Sequence, residues 1–181
     1  MLVITGNPGV GKHTISKILA EKLGYDILDI NQIAIKNRVY QKSGSTLDVD
    51  TKKLEKIMKK LAKPKTIAVG HLAPYVITKS QVKFAIILRK NPYKLIPIYK
   101  KRKYSQKKLY ENVGSEILGV TAYDAKSRFG KKALQVDATN LSVDRLVKKI
   151  LRVIKTKKQD EVDWLGLVSK KGDLAKFFPQ K

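Results

Sequence analysis

The sequence predicts an α/β fold, a doubly wound parallel sheet of five strands with helices on both faces. Two observations carry this. Short apolar runs alternate with longer stretches whose apolar residues recur at helical spacing, the pattern of strands joined by helical crossovers. A glycine-rich stretch, GNPGVGKHT, stands between the first apolar run and the first helical stretch. A length of 181 residues suits a single domain with a single core.

Taken in order, LVIT (2–5) is a buried strand that ends at glycine. After the glycine loop, Ile15, Ile18, Leu19 and Leu23 share one helix face, and Gly24 stops the helix. YDILDI (25–30) reads as the second strand. NQIAIKNRVYQKSG reads as a short helix and a polar loop. In LDVDTKKLEKIMKKLAK, Leu54, Ile57, Met58 and Leu61 line one face of a helix stopped before Pro64. TIAVG (66–70) and VKFAIILR (82–89) are strands, and a long charged helical region follows over 92–130. ALQVDAT (133–139) is the last strand. Val143, Leu146, Val147, Ile150, Val153 and Ile154 then define a final amphipathic helix. The tail, 155–181, opens with a polar charge run and continues with Trp164, Leu165, Leu167, Val168, Phe177 and Phe178. Left exposed these would form a sticky patch, so they either pack back on the domain, the first expectation, or dock a partner.

Composition removes several classes of protein. No apolar run approaches the roughly 20 residues of a membrane span. The N-terminus has no signal-peptide pattern. Cysteine is absent, which excludes disulfides and thiolate metal sites, and two histidines cannot build a histidine-rich one. A cytoplasmic protein without a membrane partner is the expectation. The net charge of +24 is distributed along the whole chain. Such a field attracts polyanions, RNA foremost.

GNPGVGKHT nearly satisfies G-x-x-x-x-G-K-[ST], with Gly6, Gly11 and Lys12 in place and His13 where a hydroxyl belongs. A glycine turn between a strand and a helix lets successive main-chain N–H groups face one anion at the helix N-terminus. Lys12 then reaches the β- and γ-phosphates as a point charge. The missing hydroxyl is the usual Mg²⁺ contact, and imidazole is a softer, bulkier ligand. Thr14 follows, but one residue along a helix turns about 100° and cannot take over that position. Its natural partner is an α- or β-phosphate oxygen. His13 either donates to a phosphate, leaves the metal shell to water, or points away.

His71, in TIAVGHLAPY, sits at the C-terminal tip of a buried strand, where parallel α/β sheets place their ligands. It is a candidate for orienting a water or an acceptor, or for proton transfer. Between Lys100 and Lys108 lie six basic residues and no acid, with Tyr99 and Tyr104 interleaved. Arginine opposite a phosphate loop stabilises the charge that spreads over a transferred phosphoryl group. The same stretch could clamp RNA backbone while tyrosines stack on bases.

GNPGVGKHT, GHLAPY and RKYSQKKLYENVGSEI together resemble the adenylate kinase isoenzyme 6 family, a branch of the nucleoside monophosphate kinases linked to small ribosomal subunit maturation. The resemblance covers about residues 1–154. Its most specific part is R-x-Y-x-x-K-K-L-x-x-N-(V/I)-x-x-E-I, carried by Arg102, Tyr104, Lys107, Lys108, Leu109, Asn112, Val113, Glu116 and Ile117. It implies a P-loop nucleoside monophosphate kinase fold with a monophosphate segment near 30–53 and a short lid near 100–111, followed by an extension over 155–181. It implies ATP and Mg²⁺ as cofactors, a nucleoside monophosphate as acceptor, and ribosomal RNA and a small-subunit ribosomal protein as partners. Gly9, Gly11, Lys12, His13 and Thr14 match its ATP-binding loop, Arg102 its lid arginine, and His71 the histidine of its D-x-H motif.

The chain departs from the family at His13 and at Val69, where the acid of D-x-H belongs. Asp26 and Asp29 are candidate replacement carboxylates. The monophosphate-segment arginine falls near Ile35, with Lys36 and Arg38 close by. Two readings follow. Lys12, Arg102 and His71 carry ATP-dependent phosphoryl transfer, or catalysis is weakened and the protein is a nucleotide-gated assembly factor that binds RNA and ribosomal protein. The extension lies outside the resemblance.

Overall fold

The computed structural model describes residues 1–43 and 46–178. Five parallel strands form the central sheet: β1 (Leu2–Thr5), β2 (Asp26–Asp29), β5 (Thr66–Val69), β6 (Phe84–Arg89) and β7 (Ala133–Asp137). Their spatial order is β2-β5-β1-β6-β7. β1 lies at the centre between β5 and β6, with Val3 opposite Ala68 on one side and Ala85 on the other. Every residue of β1 (LVIT) and β5 (TIAV) is buried, and neither strand contains a charge, as a sheet covered on both faces requires.

The period of two along each strand divides the core into two layers. Leu2, Ile4, Ile67, Val69, Ile86, Leu88, Leu134 and Val136 pack on one face. They meet α1 (Lys12–Leu23), α5 (Pro92–Lys101), α6 (Gln106–Leu118) and α8 (Val143–Thr156). Val3, Ala68, Ala85, Ile87 and Ala133 pack on the other. There they meet α2 (Ile30–Lys36), α3 (Thr51–Leu61), α4 (Ala73–Val76) and α7 (Val120–Phe129). The predicted doubly wound sheet is therefore present, with each predicted strand in place.

Two stretches differ from the sequence reading. Tyr40–Ser43, read as polar loop, is a strand, β3, and pairs antiparallel with β4 (Thr46–Val49) ahead of the next helix; residues 44–45 lie outside the described residues. The helical region 92–130 is three helices, not one. Arg102 ends α5, and Ser105 caps α6 by accepting from the Lys108 N–H at 3.3 Å. Gly119 then breaks the chain in the left-handed conformation before α7.

The tail folds back as expected. Asp160 N–H donates to the Gln135 carbonyl at 3.1 Å, and the Asp160 carboxylate accepts from the Asp137 N–H at 2.7 Å, which covers the outer edge of β7. α9 (Trp164–Lys170) buries Val168, and α10 (Leu174–Phe177) buries Phe177 in the core layer of α5 and α6. Tyr93 meets Phe177 edge-on at 5.2 Å between ring centres, and its hydroxyl donates to Asp173 at 2.6 Å. Residues 179–181 lie outside the described residues.

Candidate active site

All five strands point their C-terminal ends to one edge of the sheet, and there the candidate residues gather. Residues 6–11 leave β1 and turn into α1. Gly9 has φ +84°, and a Cβ there would stand 3.1 Å from the Tyr99 ring, so the loop lies flat against α5. Tyr99 also donates its hydroxyl to the Pro8 carbonyl at 2.7 Å. Gly11, at φ +100°, is the N-cap of α1 and has nothing within 4 Å of where a Cβ would be. The loop is thus packed behind and open in front, where the free N–H groups of the first helical turn offer an anion site.

Lys12 begins α1 and is only 6% exposed. Its Nζ donates to the Asn7 carbonyl at 2.9 Å, so the ammonium curls over the loop. Burial lowers its pKa to about 8, helped by the Arg102 charge and opposed by Glu116 and Asp29. Arg102 is exposed at the C-terminal end of α5, near enough for its charge to act on Lys12. His71 follows β5 and Gly70, and its pKa is lowered, first by burial and then by the Lys12 charge. Charge thus couples Arg102 to Lys12 and Lys12 to His71, and the downward shift favours the neutral imidazole at His71.

His13 does not point away. Its Nε2 lies 3.1 Å from Asp29 Oδ2, across the first turn of α1 from the end of β2. Asp29 is doubly fixed, because Oδ1 also caps α2 by accepting from the Asn31 and Gln32 N–H groups at 3.0 and 3.1 Å. Asp26, the other candidate carboxylate, begins β2 at the opposite end of the sheet and does not belong to the site. Val69 pairs directly with Asp29 across β5 and β2, and is buried. Among the described residues no three His, Asp or Glu side chains stand close enough to enclose an ion. Asp29 supplies one hard oxygen beside the loop. A divalent ion held there would complete its shell with water and phosphate oxygens, the habit of Mg²⁺. Thr14, next in α1, is exposed.

A cavity of about 460 Å³ adjoins His71, lined by Asn31, Ala34, Ile35, Tyr40, Val49 and Leu72, and by Asp48 at its rim. α2, β3 and β4 build it, so the segment expected near 30–53 is a wall of this cavity. Ile35 lines it; Lys36 and Arg38 do not, although both are exposed.

Sequence reasoning gave Glu116 a place in a motif but no role, and so missed a buried polar group behind the loop. Glu116 is 1% exposed. Its Oε2 accepts from Asn7 Nδ2 at 2.7 Å, and its Oε1 accepts from Arg89 Nε at 2.8 Å and the Lys90 N–H at 3.0 Å. Asn7 Oδ1 accepts from the Thr121 hydroxyl at 2.8 Å. A glutamate on the apolar face of an otherwise amphipathic α6 was the one available signal, since a buried carboxylate must be paired.

A central parallel sheet with a glycine loop closing on a buried lysine is the fold of the P-loop kinases. Solved structures with this fold include a shikimate kinase from Bacteroides thetaiotaomicron, 15% identical, with a TM-score of 0.60 over 85% of this chain and 97% of that one. A gluconokinase from Sinorhizobium meliloti is 14% identical, with a TM-score of 0.58 over 85% and 90%. A family model described as an AAA domain matches residues 2–119. A relative from Methanocaldococcus jannaschii named "Putative adenylate kinase" is 36% identical over 90% of this chain and 92% of its own. One of the same name from Thermococcus kodakarensis is 32% identical over 91% and 92%. The chain belongs to this family of archaeal adenylate kinase-like proteins.

Proposed function

We propose that the protein transfers the γ-phosphoryl group of ATP to a nucleoside monophosphate, yielding ADP and a nucleoside diphosphate, and that it acts in small ribosomal subunit maturation. The observation that supports the first part is an open glycine loop with Lys12 buried at its end, and a cavity large enough for an acceptor beside His71. The names of the archaeal relatives support the same chemistry.

The loop amides and Lys12 hold the β- and γ-phosphates. Lys12 exchanges its bond to the Asn7 carbonyl for phosphate oxygens. An acceptor phosphate oxygen attacks the γ-phosphorus, the bond to the bridging oxygen breaks, and ADP leaves with the electron pair. Arg102 closes from the lid and stabilises charge on the equatorial oxygens. His71, neutral, hydrogen-bonds the acceptor and orients it. Thr14 lies one step along α1 from His13 and serves an α- or β-phosphate oxygen. A bound Mg²⁺ neutralises phosphate charge, and Asp29, with His13 beside it, is the side chain that would hold it. The ribosomal part rests on the family resemblance of the lid block and on the +24 charge, which favours ribosomal RNA and a partner on it.

The test is coupled turnover of ATP and AMP. Lys12→Ala is expected to lower kcat/KM at least about 10²-fold, the scale of losing a charge that stabilises the transition state. Unchanged turnover in the variant would sink the site assignment.

A further inference from the structure

The C-terminal extension joins the hydrogen-bond network behind the phosphate loop. Trp164, the first residue of α9 and the only tryptophan, donates its indole N–H to Glu116 Oε1 at 3.1 Å. The other oxygen of that carboxylate holds Asn7 of the loop at 2.7 Å. The Asn7 carbonyl in turn holds Lys12. The extension touches the same network a second time. Gln159 Oε1 accepts from the Gln135 N–H at 3.1 Å, and the Gln135 side chain accepts from Arg89 Nη1 at 2.7 Å. Arg89 also grips α6 by donating from Nη2 to the Glu116 carbonyl at 2.7 Å.

From this geometry we infer that Trp164 is a positioning residue of the nucleotide site. Its N–H fixes the rotation of the Glu116 carboxylate, and Glu116, through Asn7, sets the loop conformation that presents amides and Lys12 to phosphate. Oε1 already carries two donors, from Arg89 and Lys90, and the indole supplies a third. Without it the carboxylate is free to rotate toward the other two and draw Asn7 with it. In a buried network such a shift is transmitted, because every member is held by its neighbours. The indole itself is only partly buried, so this end of the chain of bonds is the one a partner or a conformational change can reach. The inference rests on the proposed use of ATP and adds the tail to the machinery that binds it.

The experiment compares the full-length protein with Trp164→Phe, which keeps a ring but loses the N–H, and with Val168→Ala, which thins the core under the same helix without touching the network. ATP affinity is measured by calorimetry, and turnover by KM and kcat. Trp164→Phe is expected to raise Kd and KM for ATP about tenfold, the value of a hydrogen bond to a charged group, with kcat changed less. Val168→Ala is expected to lower the melting temperature and leave ATP affinity within about twofold, since its loss is one of packing alone. In the wild type, saturating ATP is expected to shift indole emission, a readout that needs no variant to fold. Equal ATP affinity in Trp164→Phe, an equal loss in both variants, or unmoved emission overturns the inference and leaves the proposed function standing. A wild type that binds no ATP in the calorimeter overturns the proposed function, and this inference with it.

Discussion

Lys12 is held where its own charge is unwelcome. It is buried, feels the Arg102 charge, and has its pKa lowered to about 8 from 10.5 for a free lysine. Between those values the unfolded chain holds more protons than the folded one, so this residue makes the protein more stable as pH rises through that window. Nucleotide binding has the opposite sign. Phosphate favours the charged ammonium, so ATP binds the protonated form and its affinity is flat below about pH 8. Above that, binding must take up a proton, and affinity falls toward about tenfold per pH unit until the pKa of the complex is reached. Calorimetry in buffers of different ionisation enthalpy reads this directly as proton uptake. Lys12→Arg, always charged, is expected to bind without that uptake. A flat affinity up to about pH 10 in the wild type would overturn this linkage between Lys12 ionisation and nucleotide binding. His71 shifts in the same direction and is neutral throughout the range.

At the scale of elements, the His13–Asp29 contact ties the first turn of α1 to the junction of β2 and α2. The imidazole of His13 reaches Asp29 at 3.1 Å. An imidazole beside a carboxylate suits ions that accept nitrogen, Mn²⁺ or Co²⁺, better than Mg²⁺. Turnover of ATP is therefore expected to be faster with Mn²⁺ than with Mg²⁺, and His13→Ser is expected to reverse the order by about tenfold, the usual reach of a ligand-shell change. An unchanged ratio of kcat/KM values for the two ions would separate His13 from the metal. The sequence made His13 conspicuous and offered Asp26 and Asp29 as carboxylates for the site, but the choice of Asp29 needed the fold, which puts Asp26 at the far end of β2. The same reason hid the pairing of Trp164 with Glu116, 48 positions apart. Strands and most helices were legible because burial on both sheet faces writes continuous apolar runs, and helices on such a sheet need one apolar stripe. The β3–β4 pair was not legible, since Tyr40–Ser43 is polar and reads as loop. The breaks at Ser105 and Gly119 were written in the sequence as a cap and a left-handed glycine, but a run of lysines obscured them.

For the whole molecule the dominant fact is unpaired positive charge. Among the described residues only Lys53, Arg89, Arg128 and Lys149 stand within ion-pair distance of a carboxylate, against 39 Lys and Arg in the sequence. Lys100, Lys101, Arg102, Lys103 and Lys107 crowd the turn between α5 and α6, and Arg145, Lys148, Lys149 and Arg152 line a shallow cavity of about 310 Å³ on α8. A surface of this kind self-repels, and a polyanion relieves that repulsion by displacing its own counterions. Binding to a ribosomal RNA fragment is expected to fall about 10³-fold or more between roughly 50 and 200 mM salt if about six or more phosphates are neutralised. ATP presents far fewer charges to one site, so its affinity is expected to depend on salt much less steeply. Neutralising Lys101, Lys103 and Lys107 together is expected to reduce the slope of log K against log salt by about one for each phosphate left without its lysine. A slope untouched by those changes but lowered by neutralising Arg145, Lys148 and Arg152 moves the RNA surface to α8. A slope near zero in the wild type removes RNA as a partner and leaves the charge to protein self-repulsion alone. On the proposed roles, the lid would also couple the two ligands. Arg102 is flanked by the same lysines, so RNA held there competes with closure over ATP, and ATP affinity is expected to weaken as RNA is added at low salt.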